Sequence, residues 1–241
     1  MKPYQAIPIC DCGEPLVAIP GDRFALMQPH PYQALGAPYG DRSPYFLRVG
    51  VLTALVEAQA QLQRQRPGWR IQIFDAFRPL AVQQFMVEQA FLEQVQARGW
   101  TTAALTPEQR QEVMAAVVQF WAVPSADATT PPPHSTGAAL DVTLMTETGA
   151  VVDMGSPIDE ISPRSHPNHF VASSNLAEQG CHAHRTLLNQ VMESAEFRRH
   201  PNEWWHFSLG DQLWAWQRRQ ETGSDKFLAH YGRASVDLWV Q

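Results

Sequence analysis

The chain has 241 residues, of which 44% are hydrophobic and 17% charged. That mixture buries a core and excludes a globally disordered chain, and the length suits one elaborated domain better than two ordinary ones. A formal net charge of -6 disfavours nucleic-acid binding, which goes with a basic excess or stripe, and no run of about 18 apolar residues is present to span a membrane.

Residues 1–45 are rich in Pro, Gly, Tyr and Asp and read as turns with short strands. Pro3, Pro8, Asp11 and Glu14 break up the opening stretch, so no secretory signal is visible and the cytoplasm is the expected compartment. The cysteines Cys10, Cys12 and Cys181 are too few, and odd in number, for a disulfide framework. Cys10-Asp11-Cys12 falls short of the four ligands that a soft-metal site needs. From Arg48 to Arg66 the apolar residues recur at helical spacing, and Pro67-Gly68 stops the run. Ile71 and Ile73 alternate in a short strand that ends at Asp75, and Pro79 opens a helix over 80–98. Thr106-Pro107-Glu108-Gln109 is a capping box for a helix running to about Val123. A Pro-rich loop over 124–133 leads into a strand over 138–145, and Thr148-Gly149 turns that strand into a hairpin with 150–154. After a long loop over 155–171, residues 173–197 read as a helix, 204–209 as an apolar strand and 211–221 as a short helix. Trp214, Trp216 and Trp239 read as packing residues.

Two segments stand out chemically. In His134-Ser135-Thr136-Gly137-Ala138-Ala139-Leu140-Asp141, Gly137 permits a sharp turn, and strand alternation puts Asp141 on the face opposite Leu140, Val142 and Leu144. A carboxylate in such an apolar strand is costly to bury unless it is paired or metal-bound. Without such a partner, the two residues read as a loop-capping Asp and a surface His. In Glu203-Trp204-Trp205-His206, strict alternation would send Glu203 and His206 to opposite faces, so they share a site only if Glu203 sits at a bent strand entrance. The alternative is a core strand whose His bonds to backbone. Taken together, His134, Asp141 and His206 make a three-ligand N/O set with an open position, as in catalytic zinc sites, and Glu203 is the natural non-ligand base. His166 and His169, three apart in a Pro-rich loop, are weaker candidates. His182 and His184 read as solvated helix residues.

At these residues the sequence resembles the zinc D-alanyl-D-alanine dipeptidases, which include the vancomycin-resistance dipeptidases and are related to zinc D,D-carboxypeptidases and hedgehog-like domains. That family's pattern is Ser-x-His-x-x-Gly-x-Ala-x-Asp, followed later by Glu-x-x-His. His134, Gly137, Ala139 and Asp141 match the first part, and Glu203 and His206 match the second. Asp75-Ala76-Phe77-Arg78-Pro79 resembles the dipeptidases' Asp-x-Tyr-Arg-Pro turn, and Met154-Gly155-Ser156-Pro157-Ile158-Asp159 resembles their Met-Gly-x-x-Phe-Asp segment. The likeness runs from about residue 40 to 210, leaving an irregular N-terminal segment and a C-terminal extension. Pro132 stands where the family has its leading Ser, with Ser135 or Thr136 as replacement hydroxyls. The family's substrate-site Tyr falls on Tyr32 or Tyr39.

The resemblance implies an α+β fold, a small antiparallel sheet with helices packed on it. It implies one Zn2+ per chain on His134, Asp141 and His206, Glu203 as proton carrier, Arg78 at the oxyanion and Asp159 at the substrate's ammonium. The implied substrate is the free D-alanyl-D-alanine dipeptide, with neither nucleic acid nor membrane as partner and the oligomeric state left open. Competing readings are a D,D-carboxypeptidase acting on peptidoglycan stem peptides, which needs no ammonium-binding Asp159, and a non-catalytic zinc-binding module. Taken without the resemblance, Arg78 reads as a surface ion pair and Asp159 as a loop cap. Asp75 either orients Arg78 or simply ends its strand, and the structural role is the one expected.

Overall fold

In the computed structural model, which describes residues 2–234, the chain builds two sheets and six α-helices. Strand β1 (Leu16–Ala18) pairs antiparallel with β3 (Phe46–Arg48) in a small ribbon. The main sheet has the order β2-β4-β5-β7-β6, formed by β2 (Ala25–Leu26), β4 (Arg70–Asp75), β5 (Ala139–Met145), β7 (His206–Ser208) and β6 (Arg198–Arg199). The expected α+β arrangement is present with one refinement: β2 joins the edge of the sheet in parallel, and the remaining pairs are antiparallel. The helices are α1 (Pro31–Ala34), α2 (Val49–Gln65), α3 (Leu80–Ala97), α4 (Pro107–Phe120), α5 (Leu176–Ser194) and α6 (Gln212–Thr222). None is long and apolar enough to cross a membrane.

Helical periodicity decides which faces meet. Val51, Leu55, Ala58 and Leu62 of α2 and Leu188, Val191 and Met192 of α5 form one core cluster with Ile71 and Ile73 of β4 and Leu140, Val142 and Leu144 of β5. This apolar face leaves Asp141, which alternates with the leucines, on the other side of β5. A second cluster joins Val82, Met86 and Val95 of α3 to Val113 and Val117 of α4, with Tyr32, Tyr39 and Trp121. The capping box of α4 forms as expected: Gln109 N donates to Thr106 Oγ1 at 3.2 Å and Thr106 N to Gln109 Oε1 at 2.9 Å. Pro79 stands at the N-cap of α3, which starts at Leu80 as expected. The expected hairpin arm over 150–154 is reduced to a single bridge between Met145 and Val151. Trp214 packs with Ile7, Ala215 and the partly buried Trp216, whereas Trp239 lies outside the described residues.

Two local devices hold the functional turn. The first is Arg48, buried at the start of α2. Its guanidinium donates to Thr136 O (2.8 Å), Glu14 O (2.6 Å), Gly232 O (3.1 Å) and Asp11 Oδ2 (3.1 Å), tying four stretches of chain together. The second is Gly137, which ends the 3-10 turn Pro133–Thr136 at φ 71. A Cβ there would lie 2.3 Å from Leu16 Cδ2. Gly137→Ala therefore combines left-handed backbone strain with overpacking, each costing about 1–3 kcal/mol. The expected result is a loss of at least about 2 kcal/mol in urea unfolding.

Candidate metal centre and active site

Strand register assembles the centre. Asp75 of β4 pairs with Asp141 of β5, and Asp141 pairs with His206 of β7, so three neighbouring strands present these side chains in one row. A register irregularity between Ile73 and Asp75 brings Asp75 into that row. The fourth member, His134, comes from the turn just before β5. All four side chains are buried.

Hydrogen bonds define which ring nitrogens face the centre. His134 Nδ1 lies 2.7 Å from Ala76 O. A carbonyl only accepts, so Nδ1 carries the hydrogen and Nε2 is bare in the neutral ring. On His206, Nε2 faces Ser208 Oγ at 3.4 Å, and that hydroxyl itself donates to Asp211 Oδ2 at 2.8 Å, so the tautomer with its hydrogen on Nε2 has an acceptor there and presents Nδ1 bare to a metal. The two bare nitrogens lie 3.1 Å apart. Asp141 Oδ1 lies 3.0 Å from His206 Nδ1, and Asp141 Oδ2 lies 3.3 Å from His134 Nε2. Tetrahedral bonds of about 2.0–2.1 Å to zinc require donor–donor edges of about 3.3 Å. The residues present therefore fit a zinc ion in both donor type and spacing, and this is the metal-competent His/Cys/Asp/Glu cluster found among the described residues.

The electrostatics agree. Burial raises the pKa of Asp141, but the His134 and His206 imidazoles facing it outweigh this and hold the carboxyl well below the usual range. Burial lowers the pKa of His206, keeping its ring neutral and able to ligate. Glu203 precedes β7, which starts at His206 rather than at Trp204, so strand alternation does not govern it. Its Oε2 lies 3.9 Å from His206 Nδ1, and its Oε1 lies 3.3 Å from His200 Nδ1. Burial, reinforced by the Asp141 charge, raises its pKa well above that of an ordinary Glu.

Arg78 lines the same pocket. Nε and Nη2 donate to Asp75 Oδ2 at 3.0 and 2.7 Å, and Nη1 donates to Gln83 Oε1 at 3.0 Å. Nη2 also lies 3.3 Å from both Tyr32 OH and Asp141 Oδ2. The guanidinium carbon stands 5.0 Å from the ring centroids of Tyr32 and Trp121. Asp75 Oδ1 accepts from Tyr39 OH (3.1 Å) and pairs with His30 Nε2 (3.0 Å). Asp159 accepts a 2.7 Å hydrogen bond from Tyr32 OH. Its burial and the Asp141 charge push its pKa up to about 7.

The sequence profile of the D-ala-D-ala dipeptidases matches residues 26–225. The chain belongs to that family. It is 51% identical over 239 residues to the D-alanyl-D-alanine dipeptidase of Synechocystis sp., covering 97% of each chain. It is 32% identical over 163 residues to the D-alanyl-D-alanine dipeptidase of Escherichia coli, covering 68% of this chain and 66% of that one. A solved vancomycin-resistance D,D-pentapeptidase, VanY, in complex with Zn(II) aligns with a TM-score of 0.41 at 16% identity, over 74% of this chain and 80% of that one.

The structure brings His134, Asp141, His206, Glu203, Arg78 and Asp159 to one pocket. It also corrects several sequence expectations. Asp75 does more than end its strand, since it is the carboxylate that holds Arg78. Arg78 is buried, not a surface ion pair. Ser135 Oγ and Thr136 Oγ1 are bonded to Pro132 O and Pro133 O at 2.7 and 2.6 Å, so neither hydroxyl replaces the family Ser. Tyr32 faces Asp159, while Tyr39 stands behind it on Asp75. His182 and His184 are half-buried rather than solvated, and His184 Nδ1 bonds Asp153 O at 2.8 Å. His166 packs against Phe120 and, like His169, stays outside the metal cluster. Cys10, Cys12 and Cys181 are free thiols.

Residues missed from sequence are His30, Gln83, Trp121 and His200. His30 lies between Pro29 and Pro31, and that bracketing was the available signal.

Two predictions follow from this geometry. Asp75→Asn removes the nearer of the two carboxylates on the buried Arg78 guanidinium and should cost about 3–5 kcal/mol in urea unfolding. Asp159 holds its proton to higher pH when folded than when unfolded, so its contribution to stability is greatest below pH 4 and falls as pH rises towards 7. In chelator-treated protein, Asp159→Asn should be about 1–2 kcal/mol more stable than wild type at pH 8, a gap that closes near pH 4.

Proposed function

We propose that the whole chain acts as a zinc D-alanyl-D-alanine dipeptidase, hydrolysing the free dipeptide to two molecules of D-alanine. The observation that carries this reading is the convergence of two bare imidazole nitrogens and one carboxylate within 3.3 Å, with the Glu203 carboxyl beside them. His134, Asp141 and His206 hold the metal. When bound, Zn2+ supplies Lewis-acid chemistry, polarising the scissile carbonyl and lowering the pKa of water from 15.7 to roughly 7.

Glu203 takes the proton of the attacking water and returns it to the leaving amine. A carboxyl whose pKa is raised by burial is suited to both halves of that transfer. Arg78, fixed by Asp75 and Gln83, faces the oxyanion with a pre-set charge that needs no reorganisation. Asp159, steadied by Tyr32, takes the substrate's ammonium. That contact favours a short unblocked peptide over an acylated stem peptide, which has no ammonium at this position. Location in the cytoplasm belongs to the same proposal.

Zinc-loaded protein given D-alanyl-D-alanine and its N-acetyl derivative should favour the free dipeptide by at least about 100-fold in kcat/KM. The opposite preference would replace this reading with a D,D-carboxypeptidase. Glu203→Gln should retain one zinc per chain by elemental analysis while kcat falls about 10²–10⁴-fold.

A further inference from the structure

The pocket's lining includes Lys2, from the irregular N-terminal segment. That segment is anchored in several ways. Its 3-10 turn Pro3–Ala6 is closed by Lys2 N donating to Gln5 Oε1 at 2.8 Å. Tyr4 is buried beside Lys2 and lines the same pocket. Gln212 of α6 clamps the segment by donating to Ile7 O (2.7 Å) and Gln5 O (3.3 Å), and also reaches Thr129 O (2.9 Å). Further along, Ile9 forms a bridge with Ala229. Lys2 is therefore held over the pocket by the fold.

The site's charges make this cation notable. Asp141, Asp159 and Glu203 line the pocket, as does Arg78, whose guanidinium is already bonded to Asp75 and Gln83. Lys2 is half-buried, and among the described residues no ion pair within 4 Å holds its ammonium. Its segment is clamped on Gln212 of α6, whereas Asp159 is bonded to Tyr32 of α1, so the two charged groups reach the pocket from different elements. A free dipeptide is a zwitterion, so a pocket that takes its ammonium at Asp159 has a use for a donor or cation at the carboxylate end. The hydroxyls of Ser135 and Thr136, next to His134, are bonded to their own turn and offer nothing to an anion.

We propose that Lys2 is the substrate-carboxylate receptor of this site, delivered by the N-terminal segment across the pocket from Asp159. This rests on the dipeptidase reading and adds to it. With Asp159 at one end and Lys2 at the other, the pocket measures its substrate by the distance between two opposite charges. Tripeptides and carboxyl-blocked dipeptides are poorer substrates in the same arrangement.

The test compares wild type, Lys2→Met and Lys2→Arg, zinc-loaded, on D-alanyl-D-alanine and on its C-terminal amide. On the free dipeptide Lys2→Met should lose about 10- to 100-fold in kcat/KM, mostly through KM, as expected for loss of one charge-assisted contact. Lys2→Arg should recover most of that loss. On the amide, Lys2→Met and wild type should be equal. Equal activity of Lys2→Met and wild type on the free dipeptide would overturn the proposal. So would an equal loss on both substrates, which would make Lys2 a partner of Glu203 or a packing residue. Calorimetric binding of the same two compounds to Glu203→Gln, with and without Lys2→Met, reads the contact without turnover. A wild type that turns over neither compound would therefore sink the dipeptidase reading while the binding comparison still decides the role of Lys2.

Discussion

Two imidazole nitrogens without hydrogens and a carboxylate, packed within 3.3 Å of one another and shielded from water, form an arrangement that repels itself. A shared proton or a bound metal cation relieves it. The rest of the molecule is arranged to maintain this concentration of lone pairs. Ala76 O fixes the outward nitrogen of His134, and the Ser208–Asp211 pair offers an acceptor to the outward nitrogen of His206, so that both rings can turn a bare nitrogen inward. Sheet register sets Asp141 beside His206, and Gly137 with Arg48 holds the turn that brings His134 over them.

Around this centre the charges alternate. Asp75 sits directly behind Arg78 and neutralises part of its charge, while Tyr39 and His30 satisfy the other oxygen of Asp75. The guanidinium is thus immobilised by Asp75 and Gln83, which makes it a fixed field rather than a mobile counter-ion. Asp159, Glu203 and Lys2 complete the wall with groups whose partners, in the proposed reaction, belong to the substrate or to the proton being moved. The N-terminal segment is therefore part of the site, even though its local sequence gives little sign of regular structure.

Much of this was legible beforehand because it depends on local pattern. The helices α2, α3, α4, α5 and α6 follow from apolar spacing and end signals such as the Thr106–Gln109 capping box and the Pro67-Gly68 stop. The metal donors stood out because an Asp in a buried strand and a His among tryptophans are costly unless they have partners. Glu203 was foreseeable only on the condition of a bent strand entrance, and that condition is met because β7 starts three residues later, at His206.

What the sequence determined by itself, then, was the identity of the donors and the elements that carry them, since residue type and short-range periodicity are local properties. Which atoms face the centre was decided by tertiary structure: the tautomers by hydrogen bonds to Ala76 and Ser208, the Arg78 network by Asp75, Gln83 and Tyr32, and the place of Lys2 by Gln212, distant by 210 positions along the chain. The physical reason is that these contacts join segments whose separation in sequence carries no periodic signal, and they form only once the cores on α2 with α5 and on α3 with α4 have fixed the spacing between them.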